Sequence, residues 1–148
     1  MTQVFDLAAS PTLIDIEDSF LPVAQMRQIT RVTVFEEDRI AGEADLGSHH
    51  WVWPQHFPGD PIFPGSLMVE AAGQLIALWA WGNGARGRPR MVRASAEFLN
   101  PVGRWTPKLV LNGEVRRRRN LYFGTVGIWA EHTQVAGVEA VLAVLDPI

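Results

Sequence analysis

The chain contains no cysteine, which removes disulfides, thiolate nucleophiles and cysteine-ligated zinc from consideration together. It also lacks an apolar run long enough for a bilayer. The longest, residues 67–81, falls short of the roughly 20 residues a span requires and carries Glu70 and Gln74. Positive charge is not in excess: a formal net charge of −3 speaks against the broad basic face of a nucleic-acid binder. The opening MTQVFD has neither the basic start nor the apolar core of a signal peptide, so a cytoplasmic protein is expected. His49 and His50 are adjacent, face opposite ways on extended chain and belong to no completed ligand set, so no metal site is expected.

What is present describes an ordinary soluble domain, with 47% hydrophobic and 20% charged residues in 148. Such a length buries about 68–70% of the unfolded chain's surface, enough for a core without staples. One domain over residues 1–148 is expected, its first 20 residues loosely ordered because no sustained period runs through them. Residues 29–35 (ITRVTVF) alternate and are β-branched, which predicts a half-buried strand. Residues 40–46 (IAGEADL) read as its hairpin partner. Between 47 and 65 stand Pro54, Pro58, Pro61 and Pro64, and this density forbids a regular helix or central strand. Residues 66–81 then predict a helix apolar on every side except one stripe, Ser66, Glu70 and Gln74, spaced by four. Strand-like segments follow at 91–98, 108–115, 121–130 and 135–145. One buried helix wrapped by a curved antiparallel sheet is an α+β architecture.

The chemistry concentrates where the proline-braced loop meets that helix. His56 on the loop is suited to take a proton near neutrality. Glu70, in the first turns of a buried helix, is expected to lose solvation, which favours a neutral carboxyl able to donate. The junction Pro64-Gly65-Ser66 opens the helix, so its first N–H groups lack intrahelical acceptors and suit a developing negative charge. Gly65, without a Cβ, would admit a substrate carbonyl close to that backbone. A base, an acid and an anion cradle within fifteen consecutive residues fit addition or elimination of water.

The stretch HFPGDPIFPGSLMVEAAGQ, His56 to Gln74, resembles the signature of bacterial β-hydroxyacyl-carrier-protein dehydratases, and most of all the β-hydroxydecanoyl thioester dehydratase branch. Trp51-Val52-Trp53 before the histidine, Glu97-Phe98-Leu99-Asn100-Pro101-Val102 and Arg118-Arg119-Asn120-Leu121 extend the similarity, which covers about residues 25–145. The resemblance implies a hotdog fold and a homodimer whose active site is shared across the interface. In it His56 would abstract the α-proton of a 3-hydroxyacyl thioester and Glu70 of the other chain would protonate the departing hydroxyl. Gly65 and Ser66 would hold the thioester carbonyl by backbone N–H, and Gln74 would orient Glu70 across one helical turn. No cofactor is implied: the acyl group rides on the phosphopantetheine of an acyl carrier protein, in fatty-acid or polyketide-type biosynthesis. The isomerising branch characteristically has aspartate where this chain has Glu70; glutamate belongs to the dehydratase-only branch.

Other readings accompany these residues. Arg116, Arg117, Arg118 and Arg119 read as a solvated turn or as a dock for the acidic carrier protein and its phosphate. Trp51, Trp53, Trp79 and Trp81 read equally as core or as the lining of an acyl tunnel. At the level of function, the alternatives to a dehydratase are a hotdog thioesterase and a non-catalytic acyl-binding subunit.

Overall fold

The computed structural model describes residues 5–6 and 21–145. Strand β1 (Phe5–Asp6) and a 3-10 turn (Ala24–Met26) precede the hairpin of β2 (Arg31–Phe35) and β3 (Arg39–Asp45). Helix α1 (Gly65–Gly82) follows the irregular segment, and β4 (Arg88–Phe98), β5 (Lys108–Arg118), β6 (Leu121–Ala130) and β7 (Thr133–Leu145) complete the chain. The strands form one sheet in the order β1-β2-β3-β5-β6-β7-β4, with every neighbouring pair antiparallel. The sheet curls around α1, whose residues from Ala71 to Trp81 are buried without a break. This is the α+β hotdog arrangement of one helix wrapped by an antiparallel sheet.

The helix begins where the prolines end. Pro64 is its N-cap residue and offers no side-chain cap. It ends at Asn83, whose amide donates to the Trp79 carbonyl at 2.8 Å, and at Gly84, whose φ of +97° suits a residue without a Cβ.

Three glycines let the helix lie close to the sheet. A Cβ on Gly42 would stand 3.1 Å from Leu75 Cδ1, and one on Gly113 would stand 3.3 Å from Leu75 Cδ2. A Cβ on Gly124 would collide with Ile76. Leu75 and Ile76 are fully buried, and each such side chain contributes roughly 1.5–3 kcal/mol through removal from water.

The elements depart from the sequence expectation at their ends. Phe5–Asp6 pair with Val32 and Arg31, giving a short strand where no period was read; the rest of the expected loose segment lies outside the described residues. β2 starts at Arg31 because the N–H groups of Gln28 and Ile29 turn inward to Gln74 Oε1, at 2.8 and 3.4 Å. β4 starts three residues earlier than expected. It borders the sheet on one side only, and a border strand tolerates Pro89. The arginine run is not a turn throughout: Arg116, Arg117 and Arg118 continue β5, and only Arg119, at φ +60°, lies in the tight turn to β6.

Candidate active site

His56 is carried on the loop between β3 and α1, its backbone N–H bonded to the Val52 carbonyl at 2.9 Å and its carbonyl accepting from Ile62 N–H at 2.9 Å. Its imidazole is half-buried and stacks on Phe57, with ring centroids 4.0 Å apart; the His56–Phe57 peptide is cis. His56 Nδ1 lies 3.0 Å from the Ile62 carbonyl oxygen. A carbonyl only accepts, so Nδ1 is the donor, and in the neutral ring the lone pair lies on Nε2. The loop thereby selects the neutral tautomer in which Nε2 is free to accept a proton.

Glu70 and Gln74 lie one turn apart on α1. Gln74 Nε2 donates to Glu70 Oε2 and to the Met26 carbonyl, both at 2.8 Å. Because its Oε1 is held by the Gln28 and Ile29 N–H groups, the amide cannot reverse without losing its partners. A proton on a neutral Glu70 would therefore sit on Oε1, the oxygen Gln74 leaves open. Glu70 itself is half-buried, so a single chain does not withdraw the carboxyl from water to the degree the sequence suggested.

These two residues line one end of a cavity of about 430 Å³ that extends along the helix past Gly73 and Ala77 to Trp81, Arg88, Met91 and Leu142. His56 is not among its lining residues. Within one chain the structure thus unites Glu70 with Gln74 at this cavity but does not bring His56 into its lining.

At the helix start, the Leu67 and Met68 N–H groups bond to the Pro64 carbonyl, at 3.1 and 3.3 Å. The N–H groups of Gly65 and Ser66 have no acceptor among the described residues. The missing Cβ of Gly65 has a different reason from the one read in the sequence: it would lie 2.7 Å from Phe98 Cζ, so the ring of Phe98 occupies the space left open.

The tryptophans divide. Trp53, Trp79 and Trp81 are buried and place their N–H groups on the carbonyls of Gly47, Glu36 and Gly87, at 2.8, 3.1 and 3.2 Å. They belong to the core, and Trp81 also closes one end of the cavity. Trp51 stacks on His50, centroids 5.4 Å apart, beside an outer recess that includes Pro54, Pro58 and Arg104. Burial holds the His50 imidazole below its ordinary pKa of 6.5. Among the described residues, no group of three or more His, Asp or Glu is placed to hold a metal ion.

The arginines are exposed and belong to a larger basic end that sequence reading missed. The register runs Arg118–Leu121–Ala143–Arg90 across four strands, bringing the run into line with the β4 arginines at one end of the sheet, with β6 and β7 between them. Only the pairing of strands distant in sequence creates this neighbourhood. Phe98 and Gly65 mark the other end of β4, so in one chain the basic end and the open helix start lie apart.

A single helix with an open start, a glutamate–glutamine pair on it and a histidine loop before it, all wrapped by one sheet, define a hotdog-fold protein. The chain belongs to the FabA-like domain family, whose match spans residues 21–139. Solved structures of the same fold differ in activity. The dehydratase heterocomplex ApeI:P from Xenorhabdus doucetiae aligns with a TM-score of 0.73 at 10% identity, over 90% of this chain and 92% of that one. A thioesterase from Haemophilus influenzae aligns at 0.61 with 19% identity, over 78% and 77%. A hypothetical thioesterase of Streptococcus pneumoniae, bound to coenzyme A, aligns at 0.62 with 13% identity, over 78% and 85%.

Proposed function

We propose that the protein is a dehydratase acting on 3-hydroxyacyl thioesters of an acyl carrier protein. The observation that carries this reading is the complementary preparation of two groups: His56 Nε2 left as a base by the Ile62 carbonyl, and Glu70 Oε1 left open by Gln74. Nε2 removes a proton from the α-carbon, and the electron pair forms the double bond as the β-hydroxyl leaves with the proton of Glu70 Oε1. The products are a 2-enoyl thioester and water, with imidazolium and carboxylate left to exchange that proton back. Charge building on the thioester oxygen is met by the Gly65 and Ser66 N–H groups; a single donor of this kind contributes roughly 3–4 kcal/mol in measured cases. The acyl chain occupies the cavity running from Glu70 toward Trp81.

The site is completed by a second copy. β4 is an eleven-residue border strand with Met91, Val92 and Phe98 exposed, a surface that a two-fold partner covers by antiparallel pairing. Such pairing sets the basic end of the partner's β4 beside the Phe98–Gly65 end of this one. The partner's loop supplies the histidine that the Glu70 cavity lacks. Arg117, Arg118 and Arg119, joined by Arg90, form the dock for the acidic carrier and its phosphate.

The test is incubation with a 3-hydroxyacyl thioester on carrier protein, with products followed by mass. Loss of one water by the wild type, absent in His56→Ala and Glu70→Gln, is the expected result. Release of free acid would move the assignment to a thioesterase, the activity of several structures sharing this fold, and absence of any turnover would leave an acyl-binding subunit.

A further inference from the structure

The outer face of the sheet, turned away from α1, carries two adjacent rows of opposite charge. Strand register places Glu114, Thr125, Glu139 and Ser95 side by side across β5, β6, β7 and β4. Two residues along each strand stand Arg116, Phe123, Val141 and Arg93. On β5, β6 and β7 they point outward, because Val115, Gly124 and Ala140, which alternate with them, are buried on the helix side; Arg93 and Ser95 share the face of Val141 and Glu139, with which they pair. Together the eight line an open groove of about 560 Å³, with Asp38 of the β2–β3 turn at its β5 margin. The rows lie about 7 Å apart, two strand residues of about 3.4 Å each.

These charges are not spent within the chain. Elsewhere on the sheet Arg31, Glu43, Asp45 and Lys108 close on one another at 2.6–2.8 Å. By contrast, Glu114, Glu139, Arg93 and Arg116 form no ion pair among the described residues. Arg116 instead lies over the Phe123 ring, 4.5 Å from its centroid, which flattens the middle of the face. A partner of uniform charge would be repelled by one of the two rows. The face calls for a surface with the same two rows inverted.

The chain itself has that surface. We propose that two copies stack outer face to outer face about a two-fold axis running along the rows. The rotation turns the strands end for end, so the glutamate row of each copy lies over the arginine row of the other. Glu114 meets Arg116 of the second copy, and Glu139 meets the Val141–Arg93 end of the opposing row. Thr125 and Ser95, both short, let the sheets approach to the spacing of about 10 Å at which sheets pack. The contact is isologous and closes on itself. It uses the outward face of the sheet, including Arg93 and Ser95 of β4, and leaves the hydrogen-bonding edge of β4 and the cavity at Glu70 free, so it holds whatever the chemistry of the site.

The experiment measures mass in solution by light scattering after size exclusion, for the wild type, Glu114→Arg/Glu139→Arg and Arg93→Glu/Arg116→Glu. In 50 mM salt the wild type is expected at twice the mass of either double variant, and an equimolar mixture of the two variants should return to the wild-type mass. Raising the salt to 1 M on the wild type should halve its mass without any substitution, which tests the inference even if a variant does not fold. Equal masses for wild type and folded variants, or a wild-type mass unaffected by salt, would overturn it. So would double variants that fail to recover the larger mass on mixing.

Discussion

Gln74 donates to Glu70 across one turn of the helix at 2.8 Å, and the residue that fixes this direction is Gln28, whose N–H holds the other end of the amide at 2.8 Å. The carboxylate is thus oriented from outside its own helix. Gln74→Leu removes both functions. It leaves the Gln28 and Ile29 N–H groups buried without acceptors, at about 1–3 kcal/mol each, so urea denaturation should show a loss of that order. In the milder Gln74→Met, turnover should fall through kcat with KM little changed, since the amide holds the acid rather than the substrate.

If the partner supplies the histidine, two inactive variants should restore each other. Homogeneous His56→Ala and Glu70→Gln are expected to lose roughly 10²–10⁴-fold in rate, the range for a positioned acid or base. After unfolding and refolding together, half the dimers would be mixed and each would hold one intact site, so roughly a quarter of wild-type activity should return. A site built within one chain would return none.

Gly65 and Phe98 should behave as a pair. Gly65→Ala places a Cβ against the Phe98 ring and is expected to destabilise by about 1–3 kcal/mol, the usual cost of overpacking. Adding Phe98→Ala should recover most of that loss in a double-mutant cycle. Additive losses would show that the ring is not what the glycine accommodates.

Stability should fall on mild acidification through His50. Burial holds its folded pKa below 6.5, so between the two values the unfolded chain binds more protons than the folded one. The stabilisation is full above about pH 6.5 and declines as pH drops through the folded value. Protonation would also take Nδ1 from the Val52 N–H it accepts at 3.2 Å. His50→Gln should flatten this part of the Tm–pH profile, and an unchanged slope would remove His50 as its source.

Glu43 governs a lower range. Burial acts to raise its pKa, but hydrogen bonds from Lys108 and Arg31 outweigh it and hold the carboxyl below its ordinary 4.5. Its contribution is present above about 4.5 and disappears as pH falls through the folded value. Glu43→Gln should therefore lower Tm at pH 7 more than at pH 3, by an amount that shrinks in high salt.

Much of this was legible in the chain. The apolar run of 67–81 between proline and glycine reads better as a buried helix than as a membrane span, and the fourfold spacing of Glu70 and Gln74 already puts them in bonding range. The strands showed through alternation wherever one face is buried, as in β6. β4 was read short because its exposed border and Pro89 weaken the pattern. Three features could not be read, since each depends on residues brought together from a distance or on carbonyl direction: the Ile62 carbonyl that sets the His56 tautomer, Phe98 over Gly65, and the alignment of Arg90 with Arg118. The charge rows likewise exist only in the register of four strands.

The glycines beneath the helix reach further than packing. Gly42, Gly113 and Gly124 form a bed for Leu75 and Ile76, the two residues immediately beyond Gln74. How deep the helix rests in that bed fixes how far Glu70 stands from anything across the cavity. Three positions with no chemistry of their own therefore help set where Glu70 stands in its cavity. Any effort to reshape the cavity has reason to leave them alone and work on Gly73, Ala77 and Met91, which line it, instead.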